Sequence, residues 1–292
     1  MKPEFEEKVY ESWFNAELSK IYPIFFPPGQ VCENELGFDA AFYIQHPTFH
    51  GLPISRSSWN LVTLFAPKNN LPNIKVNCFF QYKRPHEITT KTGKEWNSWN
   101  ESYFRYEIDK HQQQLLEKLN NLLNGQALIL YASPKTIKME ELYKLYSDAK
   151  LVEESHFTEA IKLINHHVNT YTRTSRQHKA FSEPELIENL DFQQYLDLFF
   201  LNKAERNESN NFSDNAIKVA KIIQNIMSES EKYKNIFPEI IKKIELKKID
   251  RDRREFEFSD NSYNYELLRS LYTMNQFKLL TGIQWCCYLS DT

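Results

Sequence analysis

The chain has 292 residues, of which 41% are hydrophobic and 26% charged, as expected of a globular protein with one large domain or two smaller ones. Its 36 basic and 39 acidic side chains leave a net charge of −3, which favours no class of partner. No apolar run is long enough to span a membrane, and the first residues lack the apolar segment of a secretory signal. We therefore expect a cytoplasmic protein with no membrane partner.

The glycines and cysteines exclude several classes of site. The 6 glycines are scattered, whereas a dinucleotide fingerprint or a P-loop needs several glycines close together. The 4 cysteines have no CxxC spacing, so we expect reduced thiols and no zinc ribbon. They are Cys32, Cys78, Cys286 and Cys287.

The first elements along the chain are a helix and three strands. Residues 4–19 predict the helix, because Phe5, Val9 and Trp13 recur at helical spacing. The strands are predicted from short apolar runs over 36–44, 60–66 and 75–83.

A helix, a strand and a second helix are predicted to follow. The helix covers residues 99–123, since Leu115 and Leu119 lie on one apolar face. The apolar run 126–132 predicts a buried strand, and 136–148 predicts a short amphipathic helix. The order αβββαβα indicates an α/β fold with helices packed on a mixed central sheet.

The pattern changes near residue 150, where we place a domain boundary. Residues 1–150 are predicted to form the α/β domain, and residues 151–292 a mainly helical domain. The sequence from Ser182 to Glu185 resembles a helix start, with a serine cap, a proline and early acids. Helices are predicted over 183–202, 214–229, 237–249 and 262–280.

Polar residues on two of the predicted strands carry the candidate chemistry. Gln81 and Lys83 share one face of the third strand, because side chains two residues apart on a strand point the same way. Asp39 lies on the first strand, so the three side chains can converge if both strands lie in one sheet. Carboxylate and amide oxygens suit Mg²⁺, and an ammonium can orient water and offset charge on a phosphoryl group.

The segments LGFDAAFY (36–43) and VNCFFQYKRP (76–85) together resemble the PD-(D/E)XK nuclease superfamily. The glutamine of the second segment is similar to the Q-x-K variant of Mrr-like restriction endonucleases. The resemblance covers roughly the first 135 residues, about one domain core. It implies a restriction-endonuclease-like αβββαβ core and an endonuclease that uses Mg²⁺ or Mn²⁺ to hydrolyse phosphodiester bonds.

The resemblance assigns roles to residues of both segments. Asp39 would bind the metal ion, and Gln81 would occupy the second ligand position. The carbonyl of Tyr82 could add a ligand, and Lys83 would be the catalytic lysine. The sequence departs from the superfamily in two places, since Phe38 replaces the name-giving proline and Gln81 replaces an acid. A neutral ligand in place of an acid weakens the expected metal affinity.

Further site residues are suggested by the same resemblance. Gln112 lies on the apolar stripe of the predicted helix 99–123, as a site residue or as a helix glutamine with satisfied hydrogen bonds. Glu35 is a second acidic candidate, four residues before Asp39. The acid that the superfamily places on its first helix could be any of three residues, Glu6, Glu7 and Glu11.

Three functions agree with these observations. The first is a metal-dependent endonuclease, with DNA favoured over RNA as substrate, in a setting such as restriction or anti-phage defence. It could act with a protein partner or as a homodimer. The second is a non-catalytic nucleic-acid-binding or assembly subunit that retains the nuclease fold, which the replacement of an acid by Gln81 favours. The third is an unrelated α/β interaction protein in which Gln81 and Lys83 merely lie at a strand end.

Overall fold

The computed structural model describes residues 1–26, 73–174, 177–182, 184–188, 190–203, 210–242 and 262–289. In chain order, the described helices are α1 (Glu7–Ile21), α2 (Trp96–Trp99), α3 (Lys110–Leu123), α4 (Met139–Ser147), α5 (Phe192–Lys203), α6 (Phe212–Glu229), α7 (described over 236–242) and α8 (Ser262–Thr281). The described strands are β1 (Ile24–Phe25), β2 (Asn73–Tyr82), β3 (His86–Ile88), β4 (Tyr103–Glu107), β5 (Ala127–Pro134), β6 (Ser155–Glu159), β7 (Val168–Tyr171), β8 (Gln177–Phe181), β9 (Glu185–Glu188), β10 (Asn210–Asn211) and β11 (Ile283–Leu289).

The chain forms two compact units, each built from two separate stretches. Unit 1 contains Met1–Tyr22 and Cys78–Asn207, and unit 2 contains Pro23–Asn77 and Glu208–Thr292. Strand β2 contributes residues to both units, because the division falls within it. These units divide the chain at other points than the expected boundary near residue 150.

The first layer of unit 1 is the strand order β2-β5-β6 with α1 packed on it. Strands β5 and β6 are antiparallel, with Ala132 opposite Phe157. Every residue of β5 is buried, which agrees with its nearly continuous apolar sequence. Phe14 of α1 packs against Phe80 and Tyr82 of β2, with ring centroids 5.5 Å apart in both pairs. These contacts bring α1 to the strand that carries the candidate site.

A second sheet of unit 1 has five strands in the order β3-β4-β7-β8-β9, and every neighbouring pair is antiparallel. Phe104 and Tyr106 on one face of β4 are buried. Both rings pack against Tyr171 of β7, at centroid distances of 5.4 and 6.3 Å. The half-buried Arg105 lies between them on the other face.

In unit 2, β11 lies between β1 and β2, and α6 packs against α8. The indole of the buried Trp285 on β11 donates a hydrogen bond to Asn77 Oδ1 at 3.1 Å. Asn77 and Asn215 of α6 exchange two further hydrogen bonds, of 3.0 and 2.8 Å. Since all three side chains are buried, these bonds satisfy polar groups that burial would otherwise penalise.

The predicted helix 99–123 was wrong in its first part, where the structure has the strand β4. The segment YFRYE is rich in aromatic residues, and from Phe104 onwards buried and more exposed positions alternate, which favours a strand. The helix α3 begins only at Lys110, after Asp109 caps it. The rest of the prediction is confirmed by α3, which ends at Leu123.

The prediction of a mainly helical second part was wrong over residues 155–188, which hold strands β6 to β9. Where a helix start was expected, Glu185 instead begins β9 and pairs with Ala180 of β8. His178 and Ala180 of β8 are buried, and their neighbours along the strand are less so. The pairing of β8 with β9 therefore outweighs the local capping pattern. The helix α5 begins at Phe192, where Asp191 accepts a hydrogen bond from the backbone of Gln194.

The general α/β class is confirmed, and several single elements match their predictions. Those elements are α1, β2, β5, α4, α6 and α8. The predicted helix 237–249 corresponds to α7 as far as it is described, and β11 was not predicted. The predicted strands 36–44 and 60–66 lie outside the described residues. The restriction-endonuclease-like core therefore stays a prediction. None of the helices in the described ranges is long and apolar enough to cross a membrane.

Candidate functional site

The candidate site residues that the structure describes lie at the end of β2 and in the first turn of α3. Gln81 and Tyr82 are the last residues of β2, Lys83 follows directly, and Gln112 is the third residue of α3. Asp39 and Glu35 lie outside the described residues.

The backbone of Lys83 is fixed by β5. Its N–H donates to the carbonyl of Ala132 at 2.9 Å, and its carbonyl accepts from Ser133 Oγ at 3.0 Å. The hydroxyl of Tyr171 in turn donates to Ser133 Oγ at 2.7 Å. Ser133 and Tyr171 are almost fully buried, so both sheets of unit 1 contribute to the position of Lys83.

The structure brings the ammonium of Lys83 to α3. Nζ donates to Gln112 Oε1 at 2.8 Å and lies 5.7 Å from the centre of the Tyr131 ring. Lys83 and Gln112 are each half-buried, so the hydrogen bond between them is partly shielded from solvent.

The structure distinguishes among the three acids of the first helix. Glu6 is exposed and forms an ion pair with the guanidinium of Arg84 at 3.0 Å. Glu11 is only 5% exposed and forms an ion pair with a neighbouring lysine on its own helix. Glu7 is half-buried and interacts electrostatically with Lys83. Of the three acids, Glu7 is thus the one whose charge acts on Lys83.

For both Lys83 and Glu7, burial and the charge of the other residue shift the pKa in opposite directions. Burial lowers the pKa of Lys83, while the carboxylates of Glu7 and Asp109 raise it. Burial raises the pKa of Glu7, and the ammonium of Lys83 counteracts that rise. In both groups the effect of burial is the larger one, so each group loses its charge more readily than it would in water. Such shifts are typical of groups that exchange protons or bind charged ligands.

Gln81 and Tyr82 point to opposite sides of β2. The ring of Tyr82 packs against Phe14 and Tyr10 of α1, at centroid distances of 5.5 and 5.8 Å. Gln81 is 1% exposed, and its Nε2 donates to the carbonyl of Tyr82 at 3.1 Å. Its Oε1 is buried and has no hydrogen-bond partner among the described residues. An unsatisfied buried amide oxygen is costly, and a cation is one kind of partner that would satisfy it.

Asp109 was not among the predicted site residues, and it directly precedes α3. It caps the helix by accepting the backbone N–H of Gln112 at 2.9 Å. The signal was present in the sequence as an aspartate three residues before a glutamine, ahead of an apolar stripe. Because the helix was expected to begin at residue 99, that cap was not recognised.

The donors at the site fit a hard cation in type. Amide and backbone carbonyl oxygens are among the ligands that Mg²⁺ and related ions prefer, and Gln81 and Tyr82 supply one of each at the end of β2. Within the described ranges, no three side chains of the His, Cys, Asp and Glu types form a group that could hold a metal ion. The described cysteines Cys78, Cys286 and Cys287 are buried and form no disulfide bond.

Comparison with known proteins returned no relative. No protein-family model matches the sequence, and no curated protein or solved structure matches it significantly.

Proposed function

We propose that the protein is a metal-dependent endonuclease that hydrolyses phosphodiester bonds, with DNA as its substrate and the end of β2 as its active site. The observation that carries the proposal is the hydrogen bond from Lys83, directly after β2, to Gln112 of α3, with the charge of Glu7 on α1 acting on the same ammonium. These three residues are far apart in the sequence. The resemblance to PD-(D/E)XK nucleases implied Lys83 and Gln112, and it left Glu7 as one of three candidates for the first-helix acid. The convergence supports the αβββαβ core that the resemblance implies.

The chain's own residues would divide the chemistry between them. Gln112 holds the ammonium of Lys83, which can then orient a water molecule and offset the negative charge that develops on the phosphoryl oxygens. Glu7 is placed to accept a proton or to orient water beside Lys83. Gln81 and the carbonyl of Tyr82, with Asp39 as the further ligand that the resemblance implies, would hold the ion. Mg²⁺ or Mn²⁺ bound there would supply Lewis-acid polarisation of the phosphate and a water of lowered pKa.

Cleavage assays on the purified full-length protein test the proposal. Supercoiled DNA, linear duplex DNA, single-stranded DNA and RNA are each incubated with Mg²⁺, with Mn²⁺ and with EDTA. We expect DNA cleavage that EDTA abolishes. Lys83→Ala should reduce the rate about 100-fold or more, the usual cost of removing one group that stabilises transition-state charge.

Lys179→Ala is the matched control for that variant. Lys179 is also half-buried in unit 1 and also donates a hydrogen bond, to the carbonyl of Ser98, but it lies on the second sheet. Its replacement should leave the cleavage rate within a few-fold of wild type. Equal activity of Lys83→Ala and wild type would refute the site, and cleavage of RNA alone would correct the substrate.

One observation favours a non-catalytic nucleic-acid-binding or assembly subunit as the second candidate function. The amide of Gln81 and the carbonyl of Tyr82, two of the expected ligands, are hydrogen-bonded to each other. A protein of this kind should bind nucleic acid or a protein partner equally well with and without EDTA, and Asp39→Asn should not weaken that binding. Binding that requires metal and is lost in Asp39→Asn would count against this function and for the nuclease.

A further inference from the structure

Three aromatic side chains and a lysine form a surface on the helices α1 and α4 of unit 1. The indole of Trp13 on α1 stacks on the ring of Tyr146 on α4, with centroids 5.4 Å apart and 14° between the planes. The ring of Tyr143 lies 5.8 Å from the same indole, at an angle of 65°. The ammonium of Lys20 lies 5.3 Å from the centre of the Tyr146 ring. We call these four residues the aromatic surface.

The rings of the aromatic surface are open to solvent. Tyr143 is 59% exposed, and Trp13 and Tyr146 are half-buried. By contrast, Tyr10 and Phe14 on the core side of α1 are fully buried. Clustered exposed rings of tyrosine and tryptophan are typical of surfaces that bind a partner.

The charge of the aromatic surface suits an anionic partner. The face of α1 that holds Trp13 carries a cation and no carboxylate, since its residues at helical spacing are Val9, Trp13, Ala16 and Lys20. Glu17, which interacts electrostatically with Lys20, is only 1% exposed and is bonded to two backbone amides. On the neighbouring face of α4, Glu140 and Lys144 have opposite charges and leave the balance unchanged. Proteins bind single-stranded nucleic acid with such features, because bases stack on the rings and a cation contacts the phosphates.

The two helices that carry the aromatic surface begin beside the candidate site. The charge of Glu7, the first residue of α1, acts on Lys83. The backbone N–H of Met139, the first residue of α4, donates to the carboxylate of Glu4 at 3.1 Å, so both helices start at the same end. Trp13 lies about 9 Å beyond Glu7 along the axis of α1. A strand bound on the aromatic surface can therefore reach the candidate site within a few nucleotides.

We propose that the aromatic surface binds single-stranded DNA, with bases stacked on Tyr143 and Trp13 and a phosphate beside Lys20. The inference rests on the proposed function, because the identity of the partner as DNA comes from it. It narrows the substrate to DNA with a single-stranded segment next to the bond that is cut. Bases inside a duplex stack on one another and offer no face to a protein ring.

Binding of a fluorescein-labelled thymidine oligonucleotide of about 15 nucleotides to the full-length protein, measured by fluorescence anisotropy, tests the proposal. EDTA is present throughout, so that metal-dependent cleavage does not interfere. Tyr143→Ala should weaken binding about fivefold or more, the usual cost of losing one stacked base. Tyr143→Phe keeps the ring and should bind as wild type does. Because Tyr143 is exposed, its replacement leaves the core intact, and equal affinities of Tyr143→Ala and wild type would overturn the proposal.

Lys20→Gln tests the cation, and Lys232→Gln is its matched control. Both lysines are exposed and lie over a tyrosine ring, at 5.3 and 5.2 Å, but Lys232 belongs to unit 2. Lys20→Gln should reduce the slope of log affinity against log salt concentration by about 0.7, the value for one phosphate contact on a single strand. Lys232→Gln should leave the slope unchanged, and an equal effect of the two variants would contradict the role of Lys20.

Three further outcomes separate this proposal from other accounts. Binding that Tyr143→Ala weakens, in a protein that cuts no nucleic acid, would contradict the nuclease alone. Cleavage of DNA by a protein whose oligonucleotide binding is unchanged in Tyr143→Ala would overturn only the role of the aromatic surface. A protein that binds no oligonucleotide but sediments as a dimer, which Tyr143→Ala dissociates, would overturn the proposal in favour of a contact between two copies of the chain.

Discussion

Lys83 is held both at its backbone and at its ammonium. Its main chain is bonded to Ala132 and Ser133 of β5, and its ammonium is bonded to Gln112 of α3. A lysine that follows a strand end would otherwise extend into water, because its flexible stem gains entropy there. The position of the ammonium thus depends on residues that need never touch a substrate.

A second carboxylate of α1, Glu17, has a structural role that a single substitution can test. Glu17 is 1% exposed, and its two carboxylate oxygens accept the backbone N–H groups of Leu151 and Val152 at 3.1 and 2.9 Å. Glu17→Ala would leave both amides buried without a partner. We expect the free energy of unfolding to fall by about 3 kcal/mol, measured by urea denaturation.

Glu153→Ala provides the control for this prediction. Glu153 is exposed and lies beside the same two amides in the sequence, so its removal should change the free energy of unfolding by less than about 0.5 kcal/mol. Similar denaturation midpoints for Glu17→Ala and wild type would show that the two hydrogen bonds do not hold α1 in place.

Part of the candidate site could be predicted from single residues. Strand parity places Gln81 and Lys83 on one face, opposite the ring of Tyr82, and the helical stripe singles out Gln112. The choice of Glu7 over its neighbours could not be predicted, because it depends on the charge of Lys83, which lies far from α1 in the sequence.

At the scale of elements, local patterns predicted the apolar strands and the long amphipathic helices. They failed where pairing with another strand determines the secondary structure. The segment 103–107 has apolar residues that also fit a helix, but Arg105 and Tyr106 pair with Thr170 and Asn169 of β7. A strand partner so distant along the chain leaves no trace in a local window. The local pattern also failed at β8 and β9, which pair as antiparallel strands on either side of a sequence that resembles a helix start.

At the scale of the whole molecule, the two units each draw on separate stretches of the chain. A boundary inferred from a change in composition assumes that each domain is continuous in sequence. Unit 1 takes its first helix from the start of the chain and its remaining elements from Cys78 onwards, and unit 2 includes Pro23–Asn77. Such interleaving depends on contacts between distant residues, which composition does not report.

The stability of the molecule should depend on pH through the buried His178. Its Nδ1 lies 2.8 Å from Asn169 Oδ1, and its ring meets that of His156 at a centroid distance of 4.8 Å. Burial, with a smaller effect from Lys162, lowers the pKa of His178 to about 3. In the unfolded chain a histidine has a pKa of about 6.5. The unfolded state therefore binds a proton first as the pH falls.

The contribution of His178 to stability is thus complete above about pH 6.5 and is lost as the pH falls towards 3. We expect its part of the free energy of unfolding to decrease by at most about 1.4 kcal/mol per pH unit in that window. Urea denaturation at several pH values measures the slope. His178→Gln should be less stable at neutral pH but show a shallower slope, while the exposed His111→Gln should keep the wild-type slope. A wild-type slope in His178→Gln would contradict the assignment.

The position of Mn²⁺ in crystals of the full-length protein, located by its anomalous scattering, is the most direct test of the proposed site. The account predicts an ion about 2 Å from Gln81 Oε1, with the carboxylate of Asp39 bound to the same ion and the ammonium of Lys83 nearby. An ion bound only elsewhere, with Gln81 still bonded to the carbonyl of Tyr82 and Asp39 directed away, would contradict it.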